Sequence, residues 1–130
     1  MTGTIEDITR ADALTVTPDM AIRRAVALLV ENKAAGAPVV DDTGTLCGLL
    51  TQKDCFRPTL QASYYQEWKG TVGDYMTTKL VTLPASADLM TAAEAFLEHP
   101  HRIFPVVDGD RLVGLIRRSD VLAALVRLSN

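Results

Sequence analysis

Residues 36–41 read Gly-Ala-Pro-Val-Val-Asp and residues 103–108 read Ile-Phe-Pro-Val-Val-Asp, so one short motif recurs 67 positions later. A second pair of runs follows these motifs, Leu46-Cys-Gly-Leu-Leu50 and Leu112-Val-Gly-Leu-Ile116. In each copy a polar turn that contains glycine separates two apolar runs, which is typical of a β-hairpin. The chain therefore carries an internal duplication, and each copy includes one hairpin.

Helical patterns surround each hairpin. Apolar residues recur with helical spacing within 22–30 and, 67 positions later, within 89–97. A short extended segment that ends in proline comes before each of these helices, and a further helix is predicted after each hairpin, beginning near Thr51 and near Ser119. The candidate N-caps of the two earlier helices are Asp19 and either Ser86 or Asp88.

Each copy thus consists of strand, helix, strand, strand and helix. The hairpin strands are apolar at consecutive positions, which predicts that both faces of each sheet are covered. A copy of this size is too small for a well-filled core of its own, so we expect the copies to pack together. The expected fold is α/β (α+β), with tandem β-α-β-β-α repeats of pseudo-twofold symmetry, sheets inside and helices outside. The repeats are placed at 5–60 and 73–129, with a linker at 61–72.

Composition excludes several classes of protein. The chain has 130 residues, 48% of them hydrophobic, and a net charge of -3, which excludes disorder and opposes nucleic-acid binding. Because it has neither a membrane-length apolar run nor a signal peptide, we expect a cytoplasmic protein without membrane insertion. Cys47 and Cys55 are interpreted as small apolar side chains, and His99 and His101 as part of a solvated loop, so no metal site is expected.

These motifs resemble those of the cystathionine-β-synthase-type (CBS) domain family, in which paired repeats form a Bateman module. The matching stretches are Gly36–Asp41 with Gly48–Asp54, Ile103–Asp108 with Gly114–Asp120, and Val72–Thr77 before the second repeat. The resemblance covers nearly the whole chain. It implies a regulatory module without catalysis that requires no cofactor and most often binds AMP, ADP, ATP or S-adenosylmethionine. Any effector protein that it regulates would be a separate chain.

The resemblance also implies site residues. Thr51 and Asp54 would hydrogen-bond the ribose hydroxyls of the ligand, although both residues also suit a plain helix start, as N-cap and first-turn carboxylate. In the second repeat Arg117 stands where Thr51 stands, while Asp120 is kept. The arginine either obstructs the ribose position or reaches a ligand phosphate, which favours the first cleft.

The remaining candidates would surround the base and the phosphates. In the first cleft they are Val16, Thr17, Ala35, Gly36, Ala37 and Pro38. In the weaker second cleft they are Thr82, Leu83, Arg102, Ile103, Phe104, Pro105 and Arg118, beside Arg117 and Asp120. Phe104 either stacks on a base or fills the slot where a base would lie.

Other interpretations stay open. The chain could be a ligand-free dimerisation or assembly module, whereas an enzyme is disfavoured because no nucleophile–base motif or phosphate-binding loop is present. A homodimer is expected, partly from the resemblance and partly from the apolar stripe Val121, Leu122, Leu125 and Leu128. In the linker, Tyr64, Tyr65 and Trp68 either cover their own core or contact a partner. Pro58 is expected to interrupt or kink the helix that contains it.

Overall fold

A computed structural model describes residues 3–129 and confirms a mixed α/β fold with a duplicated hairpin. From the first long helix of each copy onward the order helix, strand, strand, helix repeats as predicted, and α1 and α4 begin 67 positions apart. The strand predicted before α1 is reduced to a single bridge between Val16 and Val39, whereas the one before α4 is a short strand. In chain order the elements are a 3-10 helix (Ile5–Ile8), α1 (Ile22–Glu31), β1 (Gly36–Val40), β2 (Leu46–Thr51), α2 (Gln52–Tyr65), α3 (Val72–Tyr75), β3 (Leu83–Pro84), α4 (Leu89–Glu98), β4 (Ile103–Asp108), β5 (Arg111–Arg117) and α5 (Arg118–Leu128).

The chain forms two compact units. One consists of Leu14–Leu80 and is called the Asp54 unit here; the other, the Asp120 unit, combines the N-terminal residues through Ala13 with the chain from Val81 onward. Each unit therefore joins the body of one repeat to the segment that leads into the other repeat. These lead-in segments are residues 5–10 and 72–77. The repeat bounds 5–60 and 73–129 describe the duplication in the sequence and differ from these packing units.

In the Asp54 unit, β1 and β2 form an antiparallel hairpin, and Val16 adds a parallel bridge to Val39. Helix α1 covers the hairpin through Ile22, Ala25 and Leu29, which are almost completely buried. The predicted N-cap Asp19 is wrong, because α1 begins after Ala21 and its first amide, that of Ile22, donates to the Gly70 carbonyl. A backbone carbonyl thus satisfies one of the free amides that a side-chain cap would otherwise satisfy.

In the Asp120 unit, β4 lies between β3, which is parallel to it, and β5, which is antiparallel. Asp88 caps α4 as predicted, accepting a hydrogen bond from the Thr91 amide at 2.8 Å. The same bond, with help from the Thr91 hydroxyl, lowers the pKa of Asp88. The two hairpins share an irregularity at equivalent positions, between Val39 and Val40 and between Val106 and Val107.

One expectation about the region between the repeats is corrected. Helix α2 continues through Pro58 to Tyr65, so Pro58 does not interrupt it, and the predicted linker begins inside a helix. Trp68 is half-buried against the core of the Asp54 unit, whereas Tyr64 and Tyr65 are exposed. Of the two roles open for this cluster, Trp68 covers its own core and the two tyrosines do not. No helix within residues 3–129 has the length and apolarity needed to cross a membrane.

Candidate functional site

Asp54 lies at the N-terminus of α2, immediately after β2 ends at Thr51. The Thr51 hydroxyl accepts the Asp54 amide at 3.2 Å, and Asp54 Oδ2 accepts the Thr51 amide at 3.0 Å. This reciprocal pair is a capping box. The predicted helix-start role of both residues is therefore real, and it fixes the direction of a half-buried carboxylate.

A third side chain, from Thr77, reaches the same carboxylate. Its hydroxyl lies 3.1 Å from Asp54 Oδ2 and 3.3 Å from Oδ1. An ionised carboxylate has about four acceptor positions. Within residues 3–129 its donors are the Thr51 amide and the Thr77 hydroxyl, so the Asp54 carboxylate keeps capacity to accept hydrogen bonds from further O–H groups.

Thr77 is held in place by the backbone. Its amide and carbonyl both exchange hydrogen bonds with Leu49 of β2, each at 2.9 Å. Gly48 permits this close approach, because a Cβ there would lie 2.9 Å from the Thr77 carbonyl oxygen and 2.8 Å from Met76 Sδ. The glycine of the hairpin motif is thus required so that the lead-in segment can lie against β2.

The other first-cleft candidates lie in the same unit. The Val16 amide donates to the Pro38 carbonyl and the Val16 carbonyl accepts from the Val40 amide, so both of its backbone groups bond to β1. Gly36 pairs with Thr51. Gly36, Ala37 and Pro38 are buried, so only backbone atoms of this strand could serve a ligand. Thr17 and Ala35 are half-buried. The partly accessible first-cleft candidates are therefore Thr17, Ala35, Thr51 and Asp54, and to the last two the structure adds Thr77, which contacts Asp54 directly.

Asp120, the counterpart of Asp54, has a different environment. Both of its oxygens accept hydrogen bonds from the Arg10 guanidinium, Nε to Oδ2 at 2.9 Å and Nη2 to Oδ1 at 3.2 Å. Arg117 Nε also donates to Asp120 Oδ2, at 3.4 Å. The hydrogen bond from Arg10 is the main reason that the pKa of Asp120 lies below its usual value, and Arg117 adds to the effect. Arg117 makes no side-chain cap at the start of α5.

Arg10 occupies the position in its unit that Thr77 occupies in the other. It exchanges backbone hydrogen bonds with Leu115 of β5, at 2.8 and 3.1 Å. A surface cavity of about 450 Å³ opens beside the ion pair and is bounded by residues 7–12 and by Asp120, Ala123 and Arg127. The sequence analysis missed both Arg10 and Thr77. Aligning the two lead-in segments, Ile5–Arg10 with Val72–Thr77, would have placed them at equivalent positions.

We expect Gly114→Ala to lower the free energy of unfolding by about 1–3 kcal/mol, the usual cost of overpacking. A Cβ at Gly114 would lie 2.6 Å from the Arg10 carbonyl oxygen and 2.9 Å from its carbonyl carbon. Because these are backbone atoms bonded to β5, the lead-in segment has to shift. Urea denaturation gives the measurement, and Gly3→Ala, with nothing within 4 Å, is the matched control. Equal stability of both variants would show that the segment is not held against β5.

Four of the nine second-cleft candidates are buried. Leu83, Ile103, Phe104 and Pro105 are buried, Thr82 is half-buried, and Arg102 and Arg118 are exposed. Phe104 is fully buried, and its ring centroid lies 4.3 Å from that of Phe96. The structure shows Phe104 packed in the core of the Asp120 unit.

The histidine prediction is corrected. His99 and His101 are half-buried, and their ring centroids lie 6.0 and 5.2 Å from that of Phe104. Both lie in the segment that joins α4 to β4, at the edge of the core around Phe104. Within residues 3–129 no three His, Cys, Asp or Glu side chains are grouped as a metal site would need.

The cysteines are both free thiols. Cys55 is buried in the core of the Asp54 unit, and burial, aided by the nearby charge of Asp54, raises its pKa to about 11. A thiol with such a pKa is protonated at neutral pH and is a poor nucleophile. Cys47 is half-buried, and its Sγ donates to the Thr45 carbonyl at 3.5 Å. Cys55 therefore acts as the small apolar side chain that was predicted.

This chain is similar in structure and in sequence to several known proteins. A crystal structure of CBSX2 in complex with AMP superimposes with a TM-score of 0.84 at 32% identity, over 98% of this chain and 99% of that one. In sequence, the chloroplastic CBSX2 of Arabidopsis thaliana is 30% identical to this chain. The match covers 87% of this chain but only 58% of the length of that protein. The CBS domain-containing protein YhcV of Bacillus subtilis is 30% identical, over 98% of this chain and 88% of its own length.

A family model supports the same relationship. The model for the CBS domain matches residues 5–58 and again 72–127. These two stretches cover most of the chain, and each contains one of the duplicated hairpins and the carboxylate that follows it, Asp54 or Asp120. This chain belongs to the CBS domain family and carries two copies of the domain.

Proposed function

We propose that this protein is a non-catalytic regulatory module that senses an adenosine-containing ligand, AMP, ADP, ATP or S-adenosylmethionine, at the site around Asp54. The carboxylate of Asp54 carries the proposal, because it is fixed by its capping box and keeps acceptor capacity. The AMP complex of CBSX2, a relative with the same fold, supports an adenine nucleotide as the ligand class.

The chemistry suits a ribose. A vicinal diol presents two O–H donors, and an ionised carboxylate accepts both through charge-assisted hydrogen bonds. The Thr77 hydroxyl, which can rotate, can accept from one ribose hydroxyl while it donates to Asp54. Lys53, which is exposed and adjacent in sequence, supplies positive charge for a phosphate. The capping box adds pre-organisation, since the carboxylate loses little freedom when a ligand binds.

Asp54→Ala should weaken binding of AMP about 10- to 150-fold, which corresponds to the roughly 1.5–3 kcal/mol of hydrogen bonds to a charged group. Isothermal titration calorimetry measures the change, after a thermal-shift screen of AMP, ADP, ATP and S-adenosylmethionine has identified the best ligand. The substitution removes half of one capping box, so some loss of stability is expected but the protein should stay folded.

Asp74→Ala is the matched control for this experiment. Asp74 completes the capping box of α3 in the same unit, where Oδ2 accepts a hydrogen bond from the Thr71 amide at 2.9 Å. Its hydrogen-bond partner is thus Thr71, which is not a residue of the proposed site. Asp74→Ala should therefore cost a similar amount of stability and leave AMP affinity unchanged. If Asp54→Ala binds AMP as the wild type does, Asp54 is only a capping residue. The ribose assignment then fails.

We also propose that the protein is a homodimer, and this would be the main role of a ligand-free assembly module. Exposed apolar side chains occupy equivalent positions on the outer helices of the two repeats. The pairs are Val30 and Leu97, Phe56 and Leu122, and Leu60 and Val126, and every one of these side chains is at least 49% exposed. The helices also bear shallow apolar grooves, of about 250 Å³ at α1–α2 and about 390 Å³ beside α5.

These exposed apolar positions recur in both repeats, and this is the reason to expect that a second copy of the chain covers them. Exposed apolar patches commonly mark protein interfaces, and here large exposed apolar side chains recur at three matched positions of the two repeats. A two-fold dimer would bury the same faces on both copies. The stripe predicted on the last helix needs one correction, because Val121 is buried in the core and Leu125 is half-buried, which leaves Leu122 and Leu128 as its exposed members.

A further inference from the structure

The two carboxylates that follow the hairpins differ in the side chain that reaches them from the lead-in segment. Thr77 brings a neutral hydroxyl to Asp54, and Arg10 brings a guanidinium to Asp120. We propose that Arg10 takes the place of a ribose at Asp120 and closes the second nucleotide site, so that each chain binds one nucleotide, at Asp54. This inference rests on the proposed function of the Asp54 site.

The backbone arrangement is the same in both units, so the difference lies in the side chains. Thr77 and Arg10 each exchange two backbone hydrogen bonds with the equivalent leucine of a hairpin strand, Leu49 and Leu115. In both places a glycine, Gly48 or Gly114, allows the approach. The lead-in residue is thus delivered to the same point relative to each carboxylate, and its identity decides what that carboxylate can accept.

The contacts of Arg10 are those that a diol would need. A ribose offers two donors to the two oxygens of a carboxylate, and the guanidinium already gives one N–H to each oxygen of Asp120. Such bidentate pairs are among the stronger hydrogen-bonded contacts, since both partners are ionised. Arg117 adds a second cation 3.4 Å from Oδ2. A neutral diol that displaced Arg10 would exchange a charge-assisted pair for bonds of similar number and leave a guanidinium to be solvated again.

The ion pair between Arg10 and Asp120 lies at the surface of the unit. The Asp120 side chain is 23% exposed and that of Arg10 is 45% exposed. Isolated ion pairs on a surface contribute little to stability. The pair therefore need not be retained for folding, and its removal should change ligand binding more than the free energy of unfolding.

Arg10→Thr, which copies Thr77, tests the proposal, and Arg10→Thr/Arg117→Thr copies the full set of side chains around Asp54. We expect titration with AMP to show one site per chain in the wild type and two in the double variant, with the second affinity within about tenfold of the first. In an Asp54→Ala background the double variant should restore one site. Adding Asp120→Ala should remove it again.

Arg24→Thr is the control for loss of positive charge, because Arg24 is an exposed residue of α1. Arg10→Gln, which keeps the length of the side chain but not its charge, serves as a second variant if Arg10→Thr is unstable. Two sites in the wild type, or one site in all variants that remain folded, would overturn the inference. Weaker AMP binding by Arg10→Thr would also overturn it, because Arg10 would then bind a phosphate. Failure of the proposed function is distinguishable, since neither the wild type nor Asp120→Ala would then bind AMP.

Discussion

Phe104→Ala should lower the free energy of unfolding by about 3–5 kcal/mol, the usual range for truncation of a buried phenylalanine. Phe104 is the largest of the fully buried side chains, and its ring lies 4.3 Å from that of Phe96 between centroids. Its removal leaves a cavity at the centre of the Asp120 unit, where Val106 and Ile116 cannot close the gap without moving β4 and β5. Urea denaturation followed by circular dichroism measures the loss.

Tyr64→Ala is the matched control, since Tyr64 is also aromatic but is 76% exposed. Its effect should stay within about 0.5 kcal/mol, as is usual for surface positions. A different result for Phe104→Ala would revive the ligand-contact role. If the variant were as stable as the wild type but bound AMP more weakly, the ring of Phe104 would be a base-stacking group and its packing in the core would be unimportant.

The hairpins and helices could be predicted because their signals are local. The motif around Pro38 recurs around Pro105, and strands built on it are buried over consecutive residues. Helix α1 has the apolar spacing expected for a helix with one buried face, and Ile22, Ala25 and Leu29 are the residues that it buries. Patterns of this kind depend only on residues a few positions apart, so they need no knowledge of tertiary structure.

Helix ends were harder to predict because tertiary contacts decide among several candidates. Thr51 and Asp88 act as caps because each side chain reaches the amide three residues later. Asp19 does not, because Ala21 pairs with Thr71 and the Gly70 carbonyl takes the first amide of α1. The competing partner lies about 50 residues away in sequence, where no local pattern could indicate it.

The candidate site could be predicted only in part for the same reason. Asp54 and Asp120 belong to a motif within the chain, but the groups that distinguish them come from distant segments. Thr77 is 23 positions from Asp54, and Arg10 is 110 positions from Asp120. Sequence analysis identified Arg117 as the difference between the clefts, whereas the structure shows a closer and better aligned cation in Arg10. Arg10 and Thr77 reach the carboxylates because their backbones pair with distant strands, and that pairing cannot be predicted from local sequence.

Phe56→Glu/Leu122→Glu should convert the proposed homodimer into a monomer of 14.1 kDa. Phe56 and Leu122 stand at equivalent positions on α2 and α5 and are 64% and 63% exposed. A dimer that buries both faces would have to desolvate four carboxylates without partners. Each costs several kcal/mol, so the dissociation constant should rise by more than about 1,000-fold, equivalent to about 4 kcal/mol. Multi-angle light scattering at matched concentrations gives the mass.

The variant should fold normally, because in the single chain both side chains face water and surface substitutions change stability by about 0.5 kcal/mol or less. Circular dichroism and the thermal midpoint check this. Val113→Glu makes the same apolar-to-acidic change on β5, at an exposed residue outside the helix faces, and should keep the mass of the wild type. A wild-type monomer at high micromolar concentration would refute the homodimer. A double variant that keeps the dimer mass would show instead that the copies associate through some surface other than these helices, and the duplicated exposure of Phe56 and Leu122 would then have no role in assembly.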